Sequence, residues 1–291
     1  MDNGTRILLG AITVSALASA ALGNFSPELV PDSGGYLDVP PWPDLLASPR
    51  TPFYGWLVRA LGGEDALALV PALQFASLAA SAIALEHAAR GFGMSRAGAL
   101  ALALPVPLGN AALLFTNDIH PDILAIALAL LAISMVMRSC RTARLGPMAA
   151  VVLLASAGLA CLLKPAFLAF CVVLPALAFL LLRTTAASFV RSAKHAVAIG
   201  IVVATPLVAY AGLRYATIGH FHVVAWGGVA SSGLSGLMLR PQTVDRLPAE
   251  HRAMARHILE ERDRLASEGR MLPIPFNSQG ERSFPSAALG Y

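Results

Sequence analysis

Residues 146–163, GPMAAVVLLASAGLACLL, and 165–182, PAFLAFCVVLPALAFLLL, are two runs of 18 residues without one Asp, Glu, Lys or Arg, parted only by Lys164. At 1.5 Å of rise per helical residue, each approaches the ~30 Å of a hydrocarbon core. In lipid every backbone amide needs a partner inside the chain, which a helix supplies and an open strand does not. The alternation of apolar and polar residues that a membrane barrel strand requires is missing. Two bilayer-crossing helices that turn at Lys164 are the economical reading.

Working outward, five more apolar runs cover 7–23, 66–85, 97–116, 122–137 and 195–213, of which only 122–137 holds a charge, Asp122 at its first position. The expected fold is all-α, a polytopic membrane bundle of about seven transmembrane helices over 1–213, with an outer loop at 24–65. Composition agrees, since 56% of the 291 residues are hydrophobic and 13% charged, with mean hydropathy +0.66. Soluble domains carry roughly 25% charged residues, so an ordinary soluble enzyme is excluded. The first run, with Arg6 before it and Ala18-Ser19-Ala20 within it, also fits a cleaved secretory signal, and both readings place the next segment on the same side. Cys140, Cys161 and Cys171 lie in or beside runs with no metal or disulfide spacing and read as small packing residues.

Basic residues orient the bundle, because loops rich in Arg and Lys stay in the cytoplasm. Loops 86–96, 138–145 and 183–194 hold eight of them, Arg90, Arg96, Arg138, Arg141, Arg144, Arg183, Arg191 and Lys194, while the alternate loops hold Arg50, Arg59 and Lys164. The N-terminus is then expected inside, and 24–65, 117–121 and the chain after Arg214 outside. The net charge of +4 follows from this retention and does not point to nucleic acid. Within the runs the notable polar side chains are Gln74 and Asn110, which counts against an ion-coupled transporter.

From 215 onward 15 of 77 residues are charged, against 23 of the first 214, so 214–291 reads as an extramembrane tail. An amphipathic helix is expected from Pro248 to Ser267, with Met254, Ile258 and Leu265 on one side, Glu260 paired with Arg264, and Gly269 as the stop. A lid over an outer cavity and a plain surface helix or linker are both open readings. His220 and His222 alternate as on a strand edge, a spacing shared by zinc pairs and by polar surface.

The outer segments hold the chemistry. Pro31-Asp32-Ser33-Gly34-Gly35-Tyr36 sets a carboxylate and a phenol four apart, one helical turn. The elbow Pro40-Pro41-Trp42-Pro43 follows, then Ser48-Pro49-Arg50-Thr51-Pro52-Phe53-Tyr54 brings a cation and two aromatics to the second run. Asn117-Asp118-Ile119-His120-Pro121-Asp122 opens the fourth, and Leu162-Leu163-Lys164-Pro165 closes the fifth. Asp118, His120 and Asp122 have the donor chemistry for a divalent cation, and equally that of a solvated turn starting a helix.

In layout and in these short motifs, residues 1–213 resemble the GT-C superfamily of integral-membrane glycosyltransferases, in particular family 39, the bacterial relatives of the dolichyl-phosphate-mannose protein mannosyltransferases. The resemblance lies in Asp32, Tyr36, Arg50 with Pro52, Asp122 and Lys164. Where many relatives carry a second acidic residue after the loop aspartate, this chain has Ser33. Members usually continue through further crossings, so the resemblance implies the shared N-terminal module, shortened or part of a longer chain.

The resemblance implies an inverting transfer of sugar from a polyprenyl-phosphate donor to an acceptor hydroxyl on a glycan, glycolipid or protein, at the outer face of a bacterial inner membrane. Asp32 would take the acceptor's proton as the catalytic residue. Lys164 and Arg50 would hold the lipid phosphate, with Tyr36 and Asp122 also against substrate. Each residue has a plain alternative: Asp32 as a turn or capping carboxylate, Lys164 snorkelling from a helix end, Arg50 as an interfacial anchor with Trp42 and Trp56. A lipid or solute transporter and a non-catalytic membrane protein built on the same module are the competing functions.

Overall fold

The computed structural model describes residues 3–30, 33–48, 50–185, 187–224 and 239–268. Every expected run is helical. Six stretches are long and apolar enough to cross a membrane, Asn3–Ala21, Leu69–Gly91, Arg96–Leu114, Asp122–Thr142, Pro165–Thr184 and Phe189–Ile218, and Pro147–Leu163 is a shorter apolar seventh. The molecule is thus an all-α polytopic bundle; among the described residues the only β pairing is one isolated bridge between Glu28 and Asp118.

In chain order the helices are α1 (Asn3–Ala21), the short α2 (Gly34–Leu37), α3 (Phe53–Ala60), α4 (Leu69–Gly91), α5 (Arg96–Ala103), α6 (Pro105–Leu108), α7 (Asn110–Leu114), α8 (Asp122–Thr142), α9 (Pro147–Leu163), α10 (Phe170–Thr184) and α11 (Phe189–Ile218). Several ends are set by local chemistry. Ser95 caps α5 by accepting from the Gly98 amide at 3.1 Å, and Ser188 caps α11 by accepting from Arg191 at 3.4 Å. Gly219, at φ 76°, ends α11 in the left-handed conformation that glycine adopts without strain.

The third crossing is three short helices, not the continuous 97–116 expected. Pro105 and Pro107 lack amide donors, and the backbone extends at Gly109, where a Cβ would stand 2.5 Å from the Pro105 carbonyl oxygen. Carbonyls freed by such breaks need partners in lipid. Helix α1 supplies them: Ser15 donates to the Pro107 carbonyl at 2.5 Å, Ser19 to Ala112 at 3.2 Å, and Asn24, just beyond the helix, to Leu113.

The core lies where α8, α9, α10 and α11 pack, around Ala132, Val136, Leu153, Ala157, Leu174, Leu182, Ile199 and Val203. Small residues let backbones approach: a Cβ on Gly158 of α9 would meet Pro206 of α11 at 2.5 Å, and one on Gly200 would meet Pro175 of α10 at 3.3 Å. Outward faces remain apolar, with Val151, Val172, Leu180, Val197, Ile201 and Val208 exposed, as a lipid-facing surface demands.

Two expectations need correction. Helix α4 continues past residue 85 to Gly91 and α11 past 213 to Ile218, so Glu86 and Arg214, each 1% exposed, lie inside apolar helices that were expected to hold no such charge. Hydropathy falls at a charge, but a backbone already helical and packed carries on through it.

The described residues 239–268 belong to a second unit. It contains α12 (Pro241–Val244) and α13 (Ala249–Ser267). In α13, Ala255 is buried and Met254 exposed, so the inward stripe is offset by one residue from the expected Met254 side. Arg264 is bonded to Glu261 and Glu268 and not to Glu260, because a forked guanidinium bridges i−3 and i+4 neighbours on one face. The Leu265 side chain and Gly269 lie outside the described residues.

Candidate functional site

The described residues of 22–68 meet 115–121 and 164–169 at one end of the bundle. Two loops are tied there by backbone: the Glu28 amide donates to Asn117 at 2.9 Å and the Ile119 amide to Glu28 at 2.9 Å. The Asn117 side chain adds a bond to the Glu28 carboxylate at 2.9 Å. From below, Gln74, 1% exposed on α4, donates its amide to both the Thr116 and Asp118 carbonyls at 2.9 Å. Its place in an otherwise apolar helix is explained by that loop, whose buried carbonyls need donors.

Around this frame the polar residues singled out in the sequence come together, with one outside view. Asp122 opens α8, and its Oδ1 lies 2.7 Å from Lys164 Nζ and 3.1 Å from His120 Nδ1. Lys164 follows the last residue of α9 and has extended backbone, φ −135° and ψ 107°, so its side chain leaves the helix line at the bundle's rim. The His120 ring meets Tyr36 edge to face at 4.9 Å, and the Arg50 guanidinium sits 4.2 Å from the centre of the same Tyr36 ring. Thr51, beside Arg50, donates to the Leu162 carbonyl, fastening the elbow to the end of α9 next to Lys164. Gly35 leaves room for this: a Cβ there would stand 3.1 Å from Arg50 Cζ. Asp32 lies outside the described residues; Ser33, next to it, donates its amide to the Val30 carbonyl and accepts the Val30 amide on Oγ.

Tyr54 was not singled out as a site residue. It opens α3 at 1% exposure, with its ring 5.9 Å from Tyr36 and no hydrogen-bond partner for its hydroxyl among the described residues. Burial pushes its phenol well above the usual range, and the negative charges of Asp118 and Asp122 push it further. Asp118 is likewise held above the ordinary carboxyl value, by partial burial first and then by Glu28. In the sequence Tyr54 is only one of two aromatics in the 48–54 stretch, since the carboxylates that act on it, Asp118 and Asp122, come from a segment far along the chain.

Behind this cluster, the Tyr210 ring of α11 packs against Phe53 at 5.4 Å, and Arg214 lies one turn further along. Arg214 donates to the Val223 carbonyl at 3.3 Å, while its Nε has no partner among the described residues. A cavity of about 530 Å³ opens on the other side of α2, with Ser33, Asp38, Arg59 and Glu64 on its polar wall and Leu37 and Val58 on its apolar one.

Asp118, His120 and Asp122 do not assemble as a metal centre: among the described residues no group of three His, Cys, Asp or Glu is placed to hold an ion. Asp122 is turned to Lys164 and to His120, and Asp118 is tied by its backbone to the Glu28 loop and to Gln74. His220 and His222 lie side by side with ring centres 5.6 Å apart, and no third His, Cys, Asp or Glu among the described residues joins them as a ligand group. Compared with protein-family models, with curated proteins and with solved structures, the chain matches none.

Proposed function

We propose that the protein is an inverting glycosyltransferase that moves a sugar from a polyprenyl-phosphate donor to an acceptor hydroxyl at the outer face of a bacterial inner membrane. The observation that carries this reading is the meeting of Asp122, Lys164, His120, Tyr36 and Arg50 at one rim of an otherwise apolar bundle. A phosphate on a lipid needs cations where a greasy surface ends, and this rim has that combination. The basic loops lie at the opposite end of the helices, and the retention of positive charge in the cytoplasm supports an outward-facing rim.

In this reading Lys164 and Arg50 neutralise the donor phosphate as the bond from the sugar's anomeric carbon to the phosphate oxygen breaks and the electron pair leaves with the phosphate. Asp122 holds Lys164 in place and keeps its charge balanced until the donor arrives. Arg50 is aimed by the Tyr36 ring, a contact of the kind that contributes about 0.5–1 kcal/mol at partly exposed sites. The acceptor enters through the cavity beside Ser33, Asp38 and Glu64, and Asp32 takes its hydroxyl proton as oxygen attacks opposite the phosphate.

The test is purified protein in proteoliposomes given polyprenyl-phosphate hexoses and pentoses with a glycan, glycolipid or peptide acceptor. Release of bare polyprenyl phosphate, lost on Asp32→Asn with folding intact, supports the proposal; full release by that variant removes Asp32 as the base. Buried Glu86 favours a second reading, a transporter of lipid or small solute, because ionisable groups inside apolar helices mark such paths. A transporter would move labelled lipid between leaflets with its headgroup unchanged.

A further inference from the structure

The end of the bundle opposite the rim holds a groove of about 770 Å³ between the close of α4, the last turns of α8 and the first turn of α9. Arg138, Arg141 and Arg144 line its polar side, and Met135, Met148 and Val152 its apolar side. Arg138 and Arg141 are three apart on α8 and share a face. Ala143, at φ 49°, reverses the chain and returns Arg144 to the same groove. On the α4 wall, Gly91 leaves space for Arg141, whose Nη1 would lie 3.5 Å from a Cβ placed there.

Charge in the groove is one-sided. No carboxylate lines it, and among the described residues none pairs with these three arginines. The acidic residue nearest in sequence to its α4 wall, Glu86, is 1% exposed and faces His87 at 3.2 Å and Arg90 at 3.7 Å. The apolar wall runs on from Met148 to Val151, which are 75% and 62% exposed on the outside of α9, so the groove opens onto a surface that acyl chains cover.

We propose that this groove binds the headgroup of an acidic glycerophospholipid, with its phosphate among Arg138, Arg141 and Arg144 and its chains along Met135, Met148 and Val152. Forked guanidinium groups match phosphate oxygens two at a time, and basic pockets between crossing helices are where anionic headgroups collect. A water-soluble anion would satisfy the arginines but leave the apolar wall unexplained. This lipid is held and not consumed, and the site is separate from the rim where transfer is proposed.

The experiment is native mass spectrometry of the full chain released from detergent after titration with phosphatidylglycerol or with phosphatidylcholine of matched chains. The wild type should retain phosphatidylglycerol at least about tenfold better, the discrimination expected of charge-assisted hydrogen bonds. Arg138→Gln with Arg141→Gln should bring the two lipids to parity; Arg144→Gln, on an exposed turn that leaves the helices intact, should weaken the preference several-fold by itself. Arg96→Gln with Arg183→Gln, at the same end but outside the groove, should leave it unchanged. Preference kept in both groove variants, lost equally in the control pair, or abolished by millimolar inorganic phosphate would overturn the proposal.

Discussion

The Lys164 ammonium lies 2.7 Å from the Asp122 carboxylate, so the residue that ends the fifth crossing is bound to the residue that begins the fourth. Both side chains keep roughly a third of their surface or more in solvent, 32% for Lys164 and 43% for Asp122. An ion pair so exposed contributes only about 0–1 kcal/mol to folding. Its charges remain available to a ligand.

Lys164→Met is therefore expected to alter thermal stability by less than about 1 kcal/mol while lowering sugar transfer by about 10²–10³, the range seen when one preorganised charge or donor is removed from a reaction centre. Melting in detergent and release of polyprenyl phosphate measure the two effects separately. Equal transfer by the variant would take Lys164 out of the phosphate site.

Asp118 gives a pH signature. Its folded pKa is raised by burial and by Glu28, so across the window above the ordinary value of 3.8 the folded chain binds more protons than the unfolded chain, and stability drops as pH climbs through it. Asp118→Asn removes that loss. The variant should melt higher than wild type at neutral pH, with the gap closing as pH falls below the ordinary carboxyl value; a gap that widens on acidification would reverse the sign.

Gln74→Leu should loosen the rim from beneath. The Thr116 and Asp118 carbonyls lose their donor, a change of about 1–3 kcal/mol per buried group left unpaired, offset in part by removal of the amide oxygen that has no partner of its own. Hydrogen exchange is the readout: amides of 115–121 should exchange faster while those of α9 and α10 keep their protection.

Gly158→Ala places a methyl 2.5 Å from Pro206 Cγ and 3.0 Å from its Cβ, so α9 and α11 must separate, at about 1–3 kcal/mol. Gly10→Ala in α1 meets nothing within 4 Å and should be neutral or slightly stabilising through helix propensity. Parallel thermal melts of the two variants test whether small residues in this bundle serve close packing.

The crossings were legible because a ~20-residue apolar run has few other uses, and every one of them is helical. Their ends were not, since hydropathy stops at Glu86 and at Arg214 whereas the hydrogen-bonded backbone continues to Gly91 and Ile218. Lys164 and Asp122 stood out as lone charges beside apolar runs. Gln74 stood out as a polar side chain in an apolar run, but its role did not, and Tyr54 did not stand out at all, because what distinguishes both is burial against loops brought in from distant sequence, the Asp118 loop above all. The break of the third crossing was written in Pro105, Pro107 and Gly109, but the partners that make it tolerable, Ser15 and Ser19, sit in another helix.

Those two hydroxyls, with the Asn24 amide, make the amino-terminal helix a prosthesis for a fractured neighbour. Excising it together with Asn24 would take their side-chain donors from the Pro107 and Leu113 carbonyls, at several kcal/mol for each left bare in hydrocarbon, and leave Ala112 to Thr116 alone, so the 96–114 segment would have to straighten or retreat toward the headgroups. Engineering at this terminus, whether a shortened start or a fused tag that tugs the helix outward, would be felt first in a crossing it does not adjoin in sequence.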